Sequence, residues 1–341
     1  MKKRIFFVGL LVTLGLLLGV TGYVGRRVYL FFTVPPGPQA VEKILLLERG
    51  MSLRLIADRL KAQQIITDPK LFMLLARFYR EGKSIKAGEY KFTTAMRPTE
   101  VLEMLQEGKI FFRAATIPEG YTALQIAELL EKLGYARKTE FLQLVGAKPL
   151  LTALKIEADS LEGYLFPNTY YIHHDMTEEA LIREMVQKFW QVLTPDVQTE
   201  IRQKGFTMHQ IVTLASIIEK EAYAKEEREL ISAVYHNRLN IKMKLDSDPT
   251  VIYGIPNFDG NLTRADLQTD SPYNTYMRSG LPPGPIANPG EAAILAAIRP
   301  ANVKYLYFVA RNDGTHEFSV NYQDHLRAVA KYQKNKRANS N

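Results

Sequence analysis

Residues 5–25, IFFVGLLVTLGLLLGVTGYVG, run for 21 positions without a charge. At the helical rise this segment extends roughly 31 Å, which matches a bilayer hydrocarbon core of about 30 Å. A cleaved signal peptide is the other reading of such a run. Its length, the lack of a small-x-small cleavage site, and the Arg26-Arg27 pair that follows favour a retained transmembrane anchor. Lys2, Lys3 and Arg4 precede it, so the positive-inside bias places the N-terminus inside and the rest of the chain outside. A second apolar patch, residues 28–34, leads into Pro35-Pro36-Gly37-Pro38, which reads as a stiff spacer.

The formal net charge of +8 is concentrated at the two ends. Residues 1–27 hold five basic side chains and no acid. Residues 331–341 hold Lys331, Lys334, Lys336 and Arg337 and no acid, so the stretch between nets −1. A nucleic-acid binder carries its positive charge on the folded surface, so no nucleic-acid partner is expected. With no cysteine, disulfides, zinc–thiolate sites and cysteine nucleophiles are excluded. The six histidines show no ligand spacing, and no phosphate loop, nucleophile elbow or dinucleotide fingerprint is present. Neither a metal nor a cofactor is expected.

Two strand–turn–helix segments repeat 70 residues apart, one beginning near Ile44 and the other near Ala114. Gly50 aligns with Gly120, Ser52 with Thr122, and Ile56, Ala57 and Leu60 with Ile126, Ala127 and Leu130. In each, a glycine turn is followed by a Ser or Thr helix cap and an apolar stripe at helical spacing. Between them the pattern predicts a helix over 69–80, a strand over 87–92 and a helix over 99–106. No cluster of acids or histidines suggests chemistry here, so residues 43–150 read as a small α+β binding or positioning module.

From residue 151 the loops become dense in Tyr, Pro, Asn and Gly, and residues 151–332 read as a mixed α+β catalytic domain. Helices are predicted over 177–192, from Met208 into Lys225, over 226–239 and over 291–298. Asp248-Pro249 reads as an N-cap and N1 pair opening a short helix. Strands 305–310 and 317–320 pair across Asn312-Asp313-Gly314. The proposed layout is a tail (1–4), a transmembrane helix (5–25), a linker (26–42), the two domains and a basic tail (333–341).

The main candidate for chemistry is IIEKEA, residues 217–222. On a helical plot Ile211, Leu214, Ala215, Ile218 and Ala222 form an apolar stripe, with Glu219 on one edge and Glu221 on the other. A carboxylic acid on an apolar edge resists ionisation, as a general acid requires. The alternative is that both glutamates lie on a solvated, charged face, and the pattern does not choose between them. Three loops, LEGYLFPNTYY (161–171), DSDPTVIYG (246–254) and SPYNTYMRSGLPPGPIANPG (271–290), supply candidate sugar platforms in Tyr164, Tyr170, Tyr253, Tyr273 and Tyr276. Asn274 and Thr275 are candidate hydroxyl ligands.

These motifs resemble the endolytic murein transglycosylase family (MltG, or YceG-like). The resemblance rests on ASIIEKEA (215–222), NRL (237–239), DPTVIYG (248–254), YNTY (273–276), GLPPGPIANPG (280–290) and YLYFVA (305–310). It implies an N-terminal LysM-like module and a catalytic role for the first glutamate of the EKE run, Glu219. The reaction it implies is non-hydrolytic cleavage of the MurNAc-β-1,4-GlcNAc bond inside a strand. Glu219 protonates the leaving oxygen, and the C6 hydroxyl of MurNAc attacks C1 to leave a 1,6-anhydro end. An ordinary glycosidase needs a second carboxylate, whereas here the substrate supplies the nucleophile. Substrate contacts are expected from Glu162, Tyr164, Asn168, Thr169, Asn237, Arg238, Asp248, Thr250, Tyr253, Tyr273, Asn274, Thr275, Tyr276 and Asn288. Asn168 stands where the family motif often has Asp, so an acid is not required there. The expected partners are glycan strands, the inner membrane and wall-synthesis or division proteins, and the expected role is termination of nascent strands. The rival readings are a PLP-dependent lyase, which needs a Schiff-base lysine and a phosphate cup, and a non-catalytic wall-binding scaffold.

Overall fold

The computed structural model describes residues 2–37, 39–79 and 85–334. Met1, Pro38, Arg80 and the basic tail from residue 335 lie outside the described residues. The fold is mixed α+β, and the chain divides into two compact units, 1–113 with 171–175, and 114–170 with 176–341.

The first unit opens with α1 (Lys2–Thr33). Residues 9–33 of this helix are apolar and long enough to cross a membrane, with side chains such as Leu10, Leu16 and Val20 exposed. The helix continues through Arg26 and Arg27, since no breaker intervenes before Pro35. Then follow β1 (Glu42–Leu47), α2 (Leu53–Ala62), α3 (Pro69–Phe78), β2 (Gly88–Thr93) and α4 (Pro98–Glu107). β1 and β2 pair antiparallel, from Glu42 opposite Thr93 to Leu47 opposite Gly88. Ser52 caps α2 by accepting from Leu55 N, and Asp68 caps α3 by accepting from Lys70 N and Leu71 N. Leu47, Ile56, Leu60, Phe72, Tyr90, Phe92 and Leu105 share one core, joined by Phe31 from the last turn of α1.

The second unit starts within β3 (Arg113–Thr116) and continues with α5 (Ala123–Lys132), α6 (Lys138–Val145), α7 (Lys148–Ala153), β4 (Thr169–Ile172), α8 (Glu178–Val192) and α9 (Pro195–Gln203). Next come α10 (Met208–Glu221), α11 (Arg228–Asn240), α12 (Asp248–Tyr253), α13 (Glu291–Ile298), β5 (Tyr307–Ala310), β6 (His316–Ser319) and α14 (Tyr322–Val329). The two predicted repeats form alike. Gly50 and Gly120 take φ of +83° and +75°, and Thr122 caps α5 as Ser52 caps α2. Each buries its Ile, Ala and Leu at matching positions.

At α10 the structure departs from the amphipathic reading. All residues from Ile211 to Ile218 are buried, so this is a central helix with no wet face over those eight residues. α13, which is almost wholly apolar, packs against it. The polar side chains in α10 are satisfied locally, with Thr213 Oγ1 donating to His209 O (2.7 Å) and Ser216 Oγ donating to Thr213 O (2.7 Å). The helix predicted to run into Lys225 ends at Glu221, where Ala222 turns to extended backbone, and α11 starts separately at Arg228. The cap of α12 is Ser247 rather than Asp248, and its hydroxyl donates to Glu221 instead of closing the helix. β5 and β6 pair antiparallel as the Asn-Asp-Gly turn predicts, with Ala310 opposite His316.

Candidate active site

The last turn of α10 carries two carboxylates into different surroundings. Ser216 Oγ accepts from Ile286 N (3.0 Å), which holds the 280–290 loop against the helix. That loop delivers Gly290 N to Glu219 Oε2 at 3.0 Å. Arg228, the first residue of α11, reaches back so that Nη2 donates to Glu219 Oε1 at 3.0 Å. Both side chains of this ion pair are 7% exposed. A negative charge in the last turn opposes the helix dipole, and the guanidinium and the amide offset that penalty. Glu219 is therefore shielded from water, and its oxygens face donors rather than aliphatic carbon.

Two glycines and a third acid complete this corner. A Cβ at Gly120 would lie 3.5 Å from Glu219 Cγ, so the turn packs directly against this side chain. A Cβ at Gly290 would collide with the Glu119 carboxylate. Glu119 lies 3.6 Å from the same Arg228 Nη2 and is about half exposed. Among the described residues Arg228 Nε has no partner. Lys220, the neighbour a Schiff base would need, is exposed and donates to Gly120 O at 3.3 Å.

Glu221 points inward instead. Its Oε1 accepts from Tyr235 OH (3.0 Å) and Ser247 Oγ (2.7 Å), and burial raises its carboxyl above the ordinary range. Glu162 is the third interior carboxylate. Ala123 N lies 3.0 and 3.1 Å from its two oxygens, Asn288 Nδ2 donates at 2.9 Å and Tyr253 OH at 3.3 Å. Burial outweighs these bonds and pushes Glu162 up to about 7. Its side chain lines a cleft of about 470 Å³ with His209, Tyr253, Tyr273 and the Pro283–Pro285 turn. The Tyr253 and Tyr273 rings lie 4.9 Å apart at this cleft.

Asn288 connects the cleft to the Glu219 corner. Fully buried, its Oδ1 accepts from Gly163 N and Leu165 N (both 2.9 Å), while Nδ2 donates to Tyr121 O and Glu162. Two residues on, Gly290 N meets Glu219.

Several expected sugar contacts are internal props in this arrangement. Tyr164 is 2% exposed, shares a 2.9 Å hydrogen bond with His209 Nδ1 and packs edge-on against Phe189. Asn274 ties its own loop by donating to Asp266 O, Leu267 O and Thr269 O. Thr250 and Thr275 bond each other at 2.8 Å. Asn237 Nδ2 donates to Val303 O and Tyr305 O, and Arg238 reaches Leu306 O (2.7 Å) and Leu245 O (2.6 Å). Their polar atoms are satisfied inside the protein, so they shape the loops. Asn168 and Thr169 sit at the surface, where Asn168 Oδ1 accepts from Thr169 N and the Thr169 hydroxyl meets Thr116 at 2.9 Å. Asp248 and Tyr276 form an outward pair in which Tyr276 OH donates to Asp248 Oδ1 at 2.7 Å.

Pattern reading passed over Arg228, Glu119, Gly290 and His209 as site residues. Arg228 stands nine positions after Glu219 across a helix break, so no helical spacing relates the two. Only Gly120 had a signal, through its alignment with Gly50.

The sequence profile of the YceG-like family matches residues 45–331, most of the chain. The chain belongs to the YceG-like family. Within it, the chain is 32% identical to the endolytic murein transglycosylase of Bacillus subtilis (strain 168), over 83% of this chain and 82% of that protein. It is equally identical to the endolytic murein transglycosylase of Streptococcus pneumoniae serotype 2, where the match covers 96% of this chain but 65% of the longer relative. A crystal structure of a yceG-like protein from Listeria monocytogenes superposes with a TM-score of 0.60 at 32% identity, covering 84% of this chain and 98% of that one.

Proposed function

We propose that this YceG-like chain is a peptidoglycan lytic transglycosylase that cleaves MurNAc-β-1,4-GlcNAc bonds within nascent strands and leaves 1,6-anhydro ends. The observation that carries the reading is its likeness, along most of its length, to proteins named endolytic murein transglycosylase. Glu219 is the acid and then the base. It protonates the glycosidic oxygen as that bond breaks and accepts the proton of the C6 hydroxyl as the hydroxyl closes on C1. One carboxyl suffices because no water is activated.

Glu219 accepts from two donors, Arg228 Nη2 and Gly290 N. Glu119 lies beside the same guanidinium, so Arg228 keeps a second carboxylate partner as the proton moves between Glu219 and the sugar oxygens. Gly290 N holds the carboxyl in place. Asp248, Tyr276, Tyr253, Tyr273, Asn168 and Thr169 contact the glycan, while the buried members of the three loops hold them in position. The strand–helix–helix–strand order of residues 42–93 supports a LysM-like, glycan-binding reading of the first unit. α1 anchors the enzyme in the cytoplasmic membrane, single-pass with the N-terminus inside. Cutting within new strands would make it a terminase that works beside synthases.

The test is digestion of purified glycan strands with wild type, Glu219→Gln and Glu221→Gln, with anhydro-ended products read by mass spectrometry. Products from wild type and none from Glu219→Gln are expected. Equal activity in Glu219→Gln removes that residue from the chemistry, and no products from any form favours a binding scaffold.

A further inference from the structure

We propose that a groove on the second unit binds the short peptides that branch from the glycan, a reading that rests on murein being the substrate. The groove encloses about 1030 Å³. Its floor is apolar, formed by Leu154, Ile156, Trp190 and Phe206. Lys155, Arg183 and Arg202 line it against a single carboxylate, Glu157, so it is net cationic.

The groove is continuous with the Glu162 cleft, because Glu157 and His209 line both. His209 is fixed at each ring nitrogen, by Tyr164 OH at 2.9 Å and by Pro283 O at 2.8 Å, so this shared wall is rigid. Glu162 in that cleft is tied by buried Asn288 to the loop whose Gly290 N meets Glu219.

The chemistry of the lining separates a peptide from a sugar. Murein peptides present alanine methyl groups and free carboxylates, whereas the glycan presents hydroxyls. A saccharide site needs several aromatic platforms and polar groups free for hydroxyls. Here the polar ends of the lining aromatics are already taken, Trp190 Nε1 by Leu154 O (3.2 Å) and Tyr164 OH by His209 Nδ1 (2.9 Å), and Phe206 has none. The cations suit carboxylates. Arg202 uses Nη2 on Thr199 and keeps the remainder of its fork. Arg183 is partly neutralised by Glu179 at 2.7 Å, which leaves Lys155 and Arg202 as the principal anchors. Lys155 closes α7 with φ of +59°, at the position where Ile156 N bonds Leu151 O and glycine is usual.

The chain has a single tryptophan, so emission from Trp190 reports on this groove alone. The experiment titrates the full chain in detergent micelles with free L-alanyl-γ-D-glutamyl-meso-diaminopimelyl-D-alanine, and separately with chitotetraose. A saturable change in Trp190 emission with the peptide is expected. Weakening of about tenfold is expected in Lys155→Gln/Arg202→Gln, as for loss of charge-assisted bonds. In cleavage assays the same double variant should lower the ratio of kcat/KM for peptide-bearing over amidase-stripped strands by a similar factor. Emission that responds to chitotetraose and not to the peptide overturns the proposal, as does no response to either. If wild type binds the peptide but cleaves no glycan, the transglycosylase reading fails while the peptide site stands.

Discussion

The Arg228 guanidinium donates to Glu219 Oε1 over 3.0 Å, and both side chains are almost wholly shielded from water. A buried pair of this kind is most costly when only one partner is removed. Arg228→Met is expected to destabilise the chain by about 3–5 kcal/mol, since Glu219 is left buried and unpaired. Glu219→Met together with Arg228→Met should recover much of that loss while cleavage stays absent. Denaturant melts and product analysis on the same samples check this. A double variant no more stable than Arg228→Met would mean the pair is not coupled.

Glu162 links stability to pH. Its carboxyl is pushed from 4.5 to about 7 in the folded chain, so between those values the folded state binds a proton that the unfolded state has released. Stability from this group is therefore greatest below pH 4.5 and declines as pH rises toward 7, by about 3 kcal/mol in total. Burial acts on Glu221 in the same direction, so the comparison must be between wild type and Glu162→Gln. The decline in unfolding free energy between pH 5 and pH 7.5 should be shallower in Glu162→Gln. Identical slopes would contradict the assignment.

Gly163 and Asn288 hold the site loops together. Gly163 has φ of +88°, and an added Cβ would come within 2.5 Å of Pro285 and 2.9 Å of Val212. Gly163→Ala should cost about 2–4 kcal/mol from strain and overpacking combined. Asn288→Ala strands two buried amides, a carbonyl and one oxygen of Glu162, and should cost about as much. Thermal melts give both values. A shift in Tm below 2 °C for either would show that the loops hold without them.

Two changes in α1 should separate anchoring from folding. Deleting residues 5–25 is expected to move the protein from the membrane fraction to the soluble fraction after carbonate extraction. Phe31→Ala should leave membrane residence intact and destabilise the first unit by about 3–5 kcal/mol, because that ring is 2% exposed in the module core. Unchanged protease resistance of Phe31→Ala would count against this packing role.

The apolar run, the Gly50/Gly120 repeat, the Ser52 and Thr122 caps and the Asn312–Gly314 hairpin are all local, and each was legible in residue order. Caps, turns and helical stripes are fixed by neighbours within a few positions, which is why those elements form where the pattern puts them. The burial of α10 was harder to read, because Thr213 and Ser216 look polar until their hydroxyls are seen bonded to backbone.

Tertiary structure alone decided which carboxylate meets which partner. Glu219 and Glu221 are two residues apart and equivalent by pattern, yet one faces Arg228 and Gly290 and the other Tyr235 and Ser247. These partners come from α11, from the 288–290 loop and from the turn before α12, and no spacing along the chain encodes their approach. Sequence by itself determined an apolar helix, two capped strand–helix units and a glutamate pair on one helix. Packing determined the charge environment of each acid, because a carboxylate's chemistry depends on the donors and the water within a few ångströms of it, and those are set by long-range contacts.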